Sequence, residues 1–214
     1  MRLDHISYVT THDQLIDEVQ RIGARLGSGF SDGGIHPRFG TRNFTIPLLG
    51  GQYLEIVCPL DHPAADSSPF GQAVTQRANE GGGWLTWVIS VDEINAVESR
   101  LGRDSVIGNR RKPDGTELSW KQIGVLATLS DRQLPFFIEW LSNNHPASEN
   151  HPSAKIIKLE ISGNKEKIEN WIDDDISTTT ADIEIEWSSP NNLDKLSGLT
   201  AVHFSTPTGP FRLE

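Results

Sequence analysis

Tyr53-Leu54-Glu55-Ile56-Val57 is an apolar run with one carboxylate at its centre. It follows Gly50-Gly51, a pair typical of a hairpin turn, and we therefore predict a strand over residues 52–59. A buried, unpaired carboxylate is costly, so the fold must supply Glu55 with a cation, a proton or a hydrogen-bond donor. His5 and Glu139 also lie in strand-like apolar runs. The first hypothesis is that these three side chains meet in one site.

The pattern of elements around this stretch occurs twice. In the first copy we predict a strand at 3–10, a helix at 12–26 and strands at 41–49 and 52–59. In the second copy we predict a strand at 84–91, a helix that follows Asp92, and strands at 118–126 and 134–141. His5 aligns with Thr86 at an offset of 81 positions, and Glu55 aligns with Glu139 at an offset of 84. Two nearly equal offsets indicate a duplicated unit. We predict an α+β fold of tandem βαβββ modules, about 1–80 and 81–147, that form a curled mixed sheet around a cleft.

The composition changes after His145. Residues 142–153 contain Asn, His, Pro and Ser without periodicity, which is typical of a linker. Residues 155–214 again show a strand, a helix and further strands, but without the His and Glu signature. We predict a smaller C-terminal α+β module that covers the cleft or supports a homodimer.

Charge and cysteine content exclude several classes of protein. The net charge is −10, from 29 acidic and 19 basic residues, which argues against a nucleic-acid partner. The basic run Arg110-Arg111-Lys112 is expected to be a solvated hairpin edge. A single cysteine, Cys58, in an apolar strand fits a reducing compartment. The sequence shows no signal peptide and no apolar run of 18 residues, so we predict a cytoplasmic protein without a membrane partner.

Several motifs together point to a family. They are His36-Pro37-x-x-Gly40-Thr41-x-Asn43, the strand Tyr53-Leu54-Glu55, and Leu134–Trp140 followed by His145-Pro146. With the duplicated unit, residues 1–147 resemble the glyoxalase-like domain group of the vicinal oxygen chelate superfamily. That superfamily includes glyoxalase I, ring-cleaving extradiol dioxygenases and antibiotic-resistance binding proteins.

The resemblance implies a metal site built from the first and last strands of each module. His5, Glu55 and Glu139 match its ligand positions, whereas Thr86 stands where a His or Gln is usual. One His and two carboxylates suit a divalent ion such as Zn, Mn, Fe or Ni. The alternative is a site without metal, in which Glu55 and Glu139 share a proton or accept a donor from the ligand.

The loop at residues 36–43 is the candidate for substrate recognition. Its donors suit a carboxylate or a phosphate, because Arg and amide groups hydrogen-bond such oxygens. The predicted substrate-binding residues are His36, Arg38, Thr41, Arg42 and Asn43 in this loop, with Thr86 and Trp140 in the cleft wall.

Two functions with a small-molecule ligand stay open. One is an enzyme with lyase, isomerase or dioxygenase chemistry that depends on the metal, with Glu55 and Glu139 as catalytic residues. The other is a protein that sequesters a small molecule in the cleft without metal and without turnover. Elemental analysis of the purified protein separates the two.

Overall fold

A computed structural model describes residues 1–189 and 197–214 and shows two β-sheets flanked by short helices. The larger sheet contains β1 (Arg2–Val9), β2 (Ser31–His36), β3 (Thr41–Pro47), β4 (Tyr53–Pro59), β5 (Gly83–Ser90), β6 (Val106–Arg111), β7 (Glu117–Ile123) and β8 (Phe136–Trp140). The smaller sheet contains β9 (Lys155–Ser162), β10 (Glu184–Ser188), β11 (Gly198–Thr206) and β12 (Gly209–Leu213). The helices are α1 (Leu15–Leu26), α2 (Pro63–Ser67), α3 (Pro69–Asn79), α4 (Asn95–Leu101), α5 (Val125–Ser130), α6 (Lys165–Ile172) and α7 (Ile176–Thr180), with a short 3-10 helix at Pro146–Ser148. None of the helices in this part of the chain is long and apolar enough to cross a membrane.

The eight-stranded sheet closes into a barrel in the order β1-β4-β3-β2-β6-β7-β8-β5. Each module contributes four strands and one crossover helix, α1 or α4, and in each the first strand runs parallel to the last. The modules join where β1 runs antiparallel to β5 and where β2 meets β6. The predicted tandem βαβββ modules around a cleft are confirmed.

Both faces of β4 are buried, which explains its almost continuous apolar sequence. Glu55 and Val57 face the barrel interior, whereas Leu54 and Ile56 pack outward in the same core cluster as α1. Leu54 and Ile56 are fully buried, and each contributes about 1.5–3 kcal/mol through the hydrophobic effect. The strand therefore anchors the helix on one face and presents Glu55 on the other.

The C-terminal sheet packs against the outside of the barrel. Its strand order is β10-β9-β11-β12, and its apolar residues share one core cluster with α1, β1 and β5. Two indoles tie the layers together, because Trp84 Nε1 donates to the Leu213 carbonyl at 3.1 Å and Trp171 Nε1 donates to the Pro135 carbonyl at 2.8 Å. Within the described residues, no side chain of this sheet lines the barrel cavity. The expectation that the module covers the cleft is corrected: it supports the outer wall.

Some predicted boundaries differ for identifiable reasons. The helix predicted over 12–26 begins later, since the Thr11 hydroxyl bonds the Gln14 side chain and does not cap a backbone N–H. The strand predicted over 118–126 ends early at Gly124, whose φ of 105° is accessible mainly to glycine, and α5 follows. The short helix α7 has no counterpart among the predicted elements.

Candidate functional site

The barrel encloses a cavity of about 30 Å³, which has room for one or two water-sized groups. It adjoins an outer cleft of about 400 Å³, with which it shares Phe39, Phe70 and Gln122. The cavity is lined by His5, His36, Phe39, Asn43, Tyr53, Glu55, Phe70, Arg110, Trp120, Gln122, Phe136, Ile138 and Trp140. Of the predicted site residues, His5, His36, Asn43, Glu55 and Trp140 come together here.

Glu55 is the carboxylate inside this cavity, with 5% of its surface exposed. Its Oε2 accepts a hydrogen bond from Ser7 Oγ at 2.6 Å, and its Oε1 accepts one from Asn43 Nδ2 at 2.7 Å. Burial acts to raise the pKa of Glu55, but the charges of His5 and His36 and these two hydrogen bonds outweigh it and lower the pKa. Glu55 is therefore an anion at neutral pH, and the need for partners that the sequence raised is met by two donors.

His5 lies between two buried carboxylates. Its Nδ1 bonds Asp4 Oδ1 at 2.8 Å, and its Nε2 is 4.0 Å from Glu55 Oε2. The ring stacks on Tyr53 with centroids 4.4 Å apart, which fixes its plane. Because ionised Asp4 can only accept, Nδ1 carries the proton, and Nε2 has a lone pair in the neutral ring.

Asp4 is fully buried, and sequence reasoning missed it. Besides His5, its carboxylate accepts hydrogen bonds from Trp140 Nε1 and His145 Nε2, each at 3.1 Å. Burial acts to raise the pKa of Asp4, but the hydrogen bonds from His145 and His5 lower it far below its usual range. The sequence did carry a signal, since Asp4 directly precedes His5 in the predicted strand.

His36 is a neutral wall of the cavity. Its Nδ1 bonds Thr41 Oγ1 at 2.8 Å, so Thr41 supports this ring and does not itself line the cavity. Burial lowers the pKa of His36 to about 4, an effect that the negative charge of Glu55 partly opposes.

The burial of neutral His36 predicts a loss of stability in mild acid. Its folded pKa of about 4 lies below its ordinary value of 6.5, so between these pH values the unfolded chain binds more protons. We expect the free energy of unfolding to fall by about 2 kcal/mol from this residue between pH 7 and pH 5. The pKa values of Asp4 and Glu55 are lowered, so protonation of these two carboxylates reduces the free energy of unfolding mainly below about pH 4.5. Urea unfolding at pH 7 and pH 5 should show a smaller fall in the free energy of unfolding for His36→Gln than for the wild type.

The matched control for this measurement is His12→Gln, because His12 is exposed. This variant should retain the full loss of stability between pH 7 and pH 5. An equal loss in His36→Gln and the wild type would contradict the role of His36.

Glu139 does not reach the cavity. Its side chain faces outward from β8, where Oε2 accepts a hydrogen bond from the Ile94 backbone N–H at 2.9 Å and lies 3.6 Å from Lys121 Nζ. This carboxylate satisfies a free backbone donor at the start of α4, where negative charge is favourable. The hypothesis that Glu139 meets Glu55 and His5 is therefore wrong in its geometry.

Three other predicted residues also lie outside the cavity. Thr86 pairs with Ser7 in the β1–β5 ladder, and its hydroxyl donates to the Trp87 carbonyl at 3.1 Å. Arg42 forms a surface ion pair with Asp32 at 2.5 Å. Arg38 is exposed and lines the outer cleft. Contact of these three side chains with a ligand in the cavity is thus not supported, although Arg38 is placed to meet a ligand that extends outward.

Arg110 and Gln122 line the cavity although the sequence predicted neither of them as a site residue. Gln122 Oε1 accepts from Trp120 Nε1 at 2.8 Å, which leaves its amide NH₂ as a donor. The Trp120 ring lies across Gly108, where an added Cβ would come within 2.5 Å of the ring. A glycine on β6 therefore makes room for the indole that orients Gln122.

The donor set does not fit the metal site that the resemblance implies. Both oxygens of Glu55 already accept hydrogen bonds from Ser7 and Asn43, His5 Nε2 faces one of them, and Glu139 lies elsewhere. Over residues 1–189 and 197–214, no three His, Cys, Asp or Glu side chains converge as ligands. The chemistry that this cavity supports is that of its own side chains.

A barrel of paired βαβββ modules with polar groups inside is the architecture of the vicinal oxygen chelate superfamily. The model of the family described as a glyoxalase-like domain matches residues 3–174, and the chain belongs to this family. The sequence-based resemblance is confirmed, and the match extends beyond residue 147 into the C-terminal module.

One solved structure matches the fold of the whole chain, and two others are similar over part of it. A hypothetical protein from Staphylococcus aureus is 15% identical, with a TM-score of 0.70 over 100% of this chain and 98% of its own. Methylmalonyl-CoA epimerase from Mycobacterium tuberculosis is 15% identical, with a TM-score of 0.43 over 65% of this chain and 86% of its own. The Streptomyces coelicolor methylmalonyl-CoA epimerase, in complex with 2-nitronate-propionyl-CoA, is 16% identical, with a TM-score of 0.44 over 67% of this chain and 99% of its own. No curated protein matches this chain in sequence.

Proposed function

We propose that this protein is an enzyme that moves a proton at a carbon next to a carbonyl group of a small molecule, as isomerases and lyases do. The observation that carries the proposal is His5 held between buried Asp4 and Glu55 on the wall of a small cavity. Such a cluster combines a titratable group with fixed neighbours in a concave site, which is the usual composition of a proton-transfer centre.

His5 is the proposed base. Asp4 holds the Nδ1 proton, so the Nε2 lone pair accepts the proton as the C–H bond breaks. The imidazolium that forms lies close to two carboxylates, and their charges stabilise it more strongly in a buried site than in water. Glu55 thus acts by its charge, and return of the proton to the carbon or to a neighbouring atom completes the cycle.

The electron pair released from the C–H bond moves onto the carbonyl oxygen, which needs donors. Two neutral donors line the same cavity, the amide of Gln122 and the hydroxyl of Tyr53. Burial and the charges of Asp4 and Glu55 raise the pKa of Tyr53 well above its ordinary value of 10.0, so its hydroxyl keeps the proton. Fixed donors of this kind stabilise the developing oxyanion.

Incorporation of solvent deuterium tests the proposal. We expect the wild type to catalyse exchange at carbon in at least one of pyruvate, methyl pyruvate and 1,3-dicarbonyl compounds, followed by NMR. Glu55→Gln should lower the rate at least ~10-fold, because it removes a charge about 4.0 Å from the imidazolium. A chelator should leave the rate unchanged.

Glu139→Gln is the matched control for Glu55→Gln, since it alters a carboxylate at the start of α4 and not in the cavity. Its exchange rate should equal that of the wild type. Wild-type exchange no faster than buffer across the whole panel would refute the proposal, as would an unchanged rate in Glu55→Gln.

A second candidate function is binding without turnover. The rings of Phe39, Phe70, Trp120 and Phe136 line the cavity and favour a planar or apolar ligand. Ligand binding by the wild type without any exchange would support sequestration over catalysis.

A further inference from the structure

Arg110 is a cation buried inside the barrel. Its side chain is 2% exposed and lines the cavity, whereas that of the next residue, Arg111, is 66% exposed. The sequence places both in one basic run, which was expected to be solvated. Strand alternation separates these two neighbours, so that Arg110 points into the cavity and Arg111 points outward.

The guanidinium of Arg110 is only partly paired. Nη1 donates to Asn43 Oδ1 at a long 3.4 Å, and Nη2 is 3.9 Å from Glu149 Oε1. That carboxylate oxygen already pairs with Lys112 Nζ at 2.6 Å. Across the described residues, Nε and Nη2 are buried and have no hydrogen-bond acceptor. A buried charge with unpaired donors is costly, and hydrogen-bond acceptors on a ligand can satisfy these donors.

The position of Arg110 relative to Glu55 is fixed. Asn43 bridges the two, because its Oδ1 accepts from Arg110 while its Nδ2 donates to Glu55 Oε1 at 2.7 Å. Gly33 makes this arrangement sterically feasible, since an added Cβ there would lie 2.5 Å from Arg110 Nη1. An anion bound to Arg110 therefore lies one amide side chain away from the His5–Glu55 pair.

We propose that Arg110 binds a carboxylate group of the ligand, which makes small 2-oxo acids the substrate class. The planar fork of N–H donors matches a carboxylate, and the single cation and the small cavity suit a carboxylate better than a phosphate. A 2-oxo acid joins the anion to a carbonyl whose neighbouring C–H is acidic. The choice of substrate class rests on the proposed proton transfer; the binding of a carboxylate does not.

Binding of pyruvate and methyl pyruvate, measured by calorimetry, tests the assignment. We expect the wild type to bind pyruvate at least ~10-fold more tightly than its methyl ester, because the ester lacks the anion. Arg110→Met should lose this preference, and Arg111→Met, at an exposed position, should keep it. Equal binding of acid and ester, an unchanged preference in Arg110→Met, or tighter binding of inorganic phosphate than of pyruvate would overturn the proposal.

Two further variants help to interpret a negative result. Arg110→Lys tests whether a loss of binding is due to misfolding, and Glu55→Gln tests whether carboxylate binding is independent of the proposed reaction. Arg110→Lys keeps the buried charge but not the fork, and it should bind pyruvate more weakly than the wild type while unfolding cooperatively; equal affinity would count against the assignment. Glu55→Gln keeps Arg110 and should retain the preference for acid over ester. If that preference depends on Arg110 but no exchange occurs, the proposed reaction fails and the carboxylate site stands. If exchange on methyl pyruvate proceeds as on pyruvate and independently of Arg110, the reaction stands and the carboxylate site fails.

Discussion

Asp4→Asn should lower the rate of deuterium exchange by roughly 100- to 10,000-fold, the range in which general-base catalysis contributes. Asp4 Oδ1 accepts from His5 Nδ1 at 2.8 Å and so keeps the Nε2 lone pair available. An asparagine can present its NH₂ group to Nδ1, which favours the tautomer with the proton on Nε2. The proposed base then has no lone pair toward the cavity. The same NMR exchange assay measures the effect.

Asp131→Asn is a suitable control for Asp4→Asn. Asp131 is likewise a hydrogen-bonded carboxylate, bound by Gln133 and Lys167, although it is only partly buried and lies outside the cavity. Its variant should exchange deuterium at the wild-type rate. Urea unfolding of Asp4→Asn should show a cooperative transition, since an amide can still accept from Trp140 or His145. A folded Asp4→Asn protein with full exchange activity would refute the role of the His5–Asp4 pair.

Gly33→Ala is expected to abolish the preference for pyruvate over its methyl ester, although it changes no polar group. A Cβ at this position would lie 2.0 Å from Asn43 Oδ1 and 2.5 Å from Arg110 Nη1, so both side chains must move. Overpacking of this kind costs about 1–3 kcal/mol of stability. Calorimetry with the two ligands measures the first effect, and urea unfolding measures the second.

Gly29→Ala provides the comparison, because its nearest new contact is 3.8 Å, an ordinary van der Waals distance. This variant should bind and unfold like the wild type. Retention of the preference for pyruvate in Gly33→Ala would show that Arg110 does not need the space above Gly33.

The failure of the Glu139 hypothesis has a physical cause in the alternation of strands. The offset of 81 relates His5 to Thr86, whereas the offset of 84 relates Glu55 to Glu139. Within one strand, a slip of one residue moves a side chain to the opposite face. Ile138, one position earlier, faces the cavity in the second module. Periodicity therefore predicted the modules correctly, but alignment by residue type placed a carboxylate on the wrong face.

The inward position of Arg110 could not be read from the sequence. Three consecutive basic residues are usually solvated, and alternation alone does not say which of two neighbouring arginines faces the interior. The answer depends on how β2 and β6 meet across the two modules, where Ile35 pairs with Arg111. By contrast, His5, Glu55 and Asn43 were found because each is a polar residue in an apolar or turn-rich context.

Two glycines, Gly33 and Gly108, contribute no functional group to the site, but each leaves space for a side chain that lines the cavity. Gly33 leaves the volume that Arg110 occupies, and Gly108 leaves the volume that Trp120 occupies. A relative that carries the arginine but a larger residue at position 33 would have the charge without the space to place it. Glycine at both positions therefore distinguishes family members that have this cavity from members that have the same barrel but not the cavity.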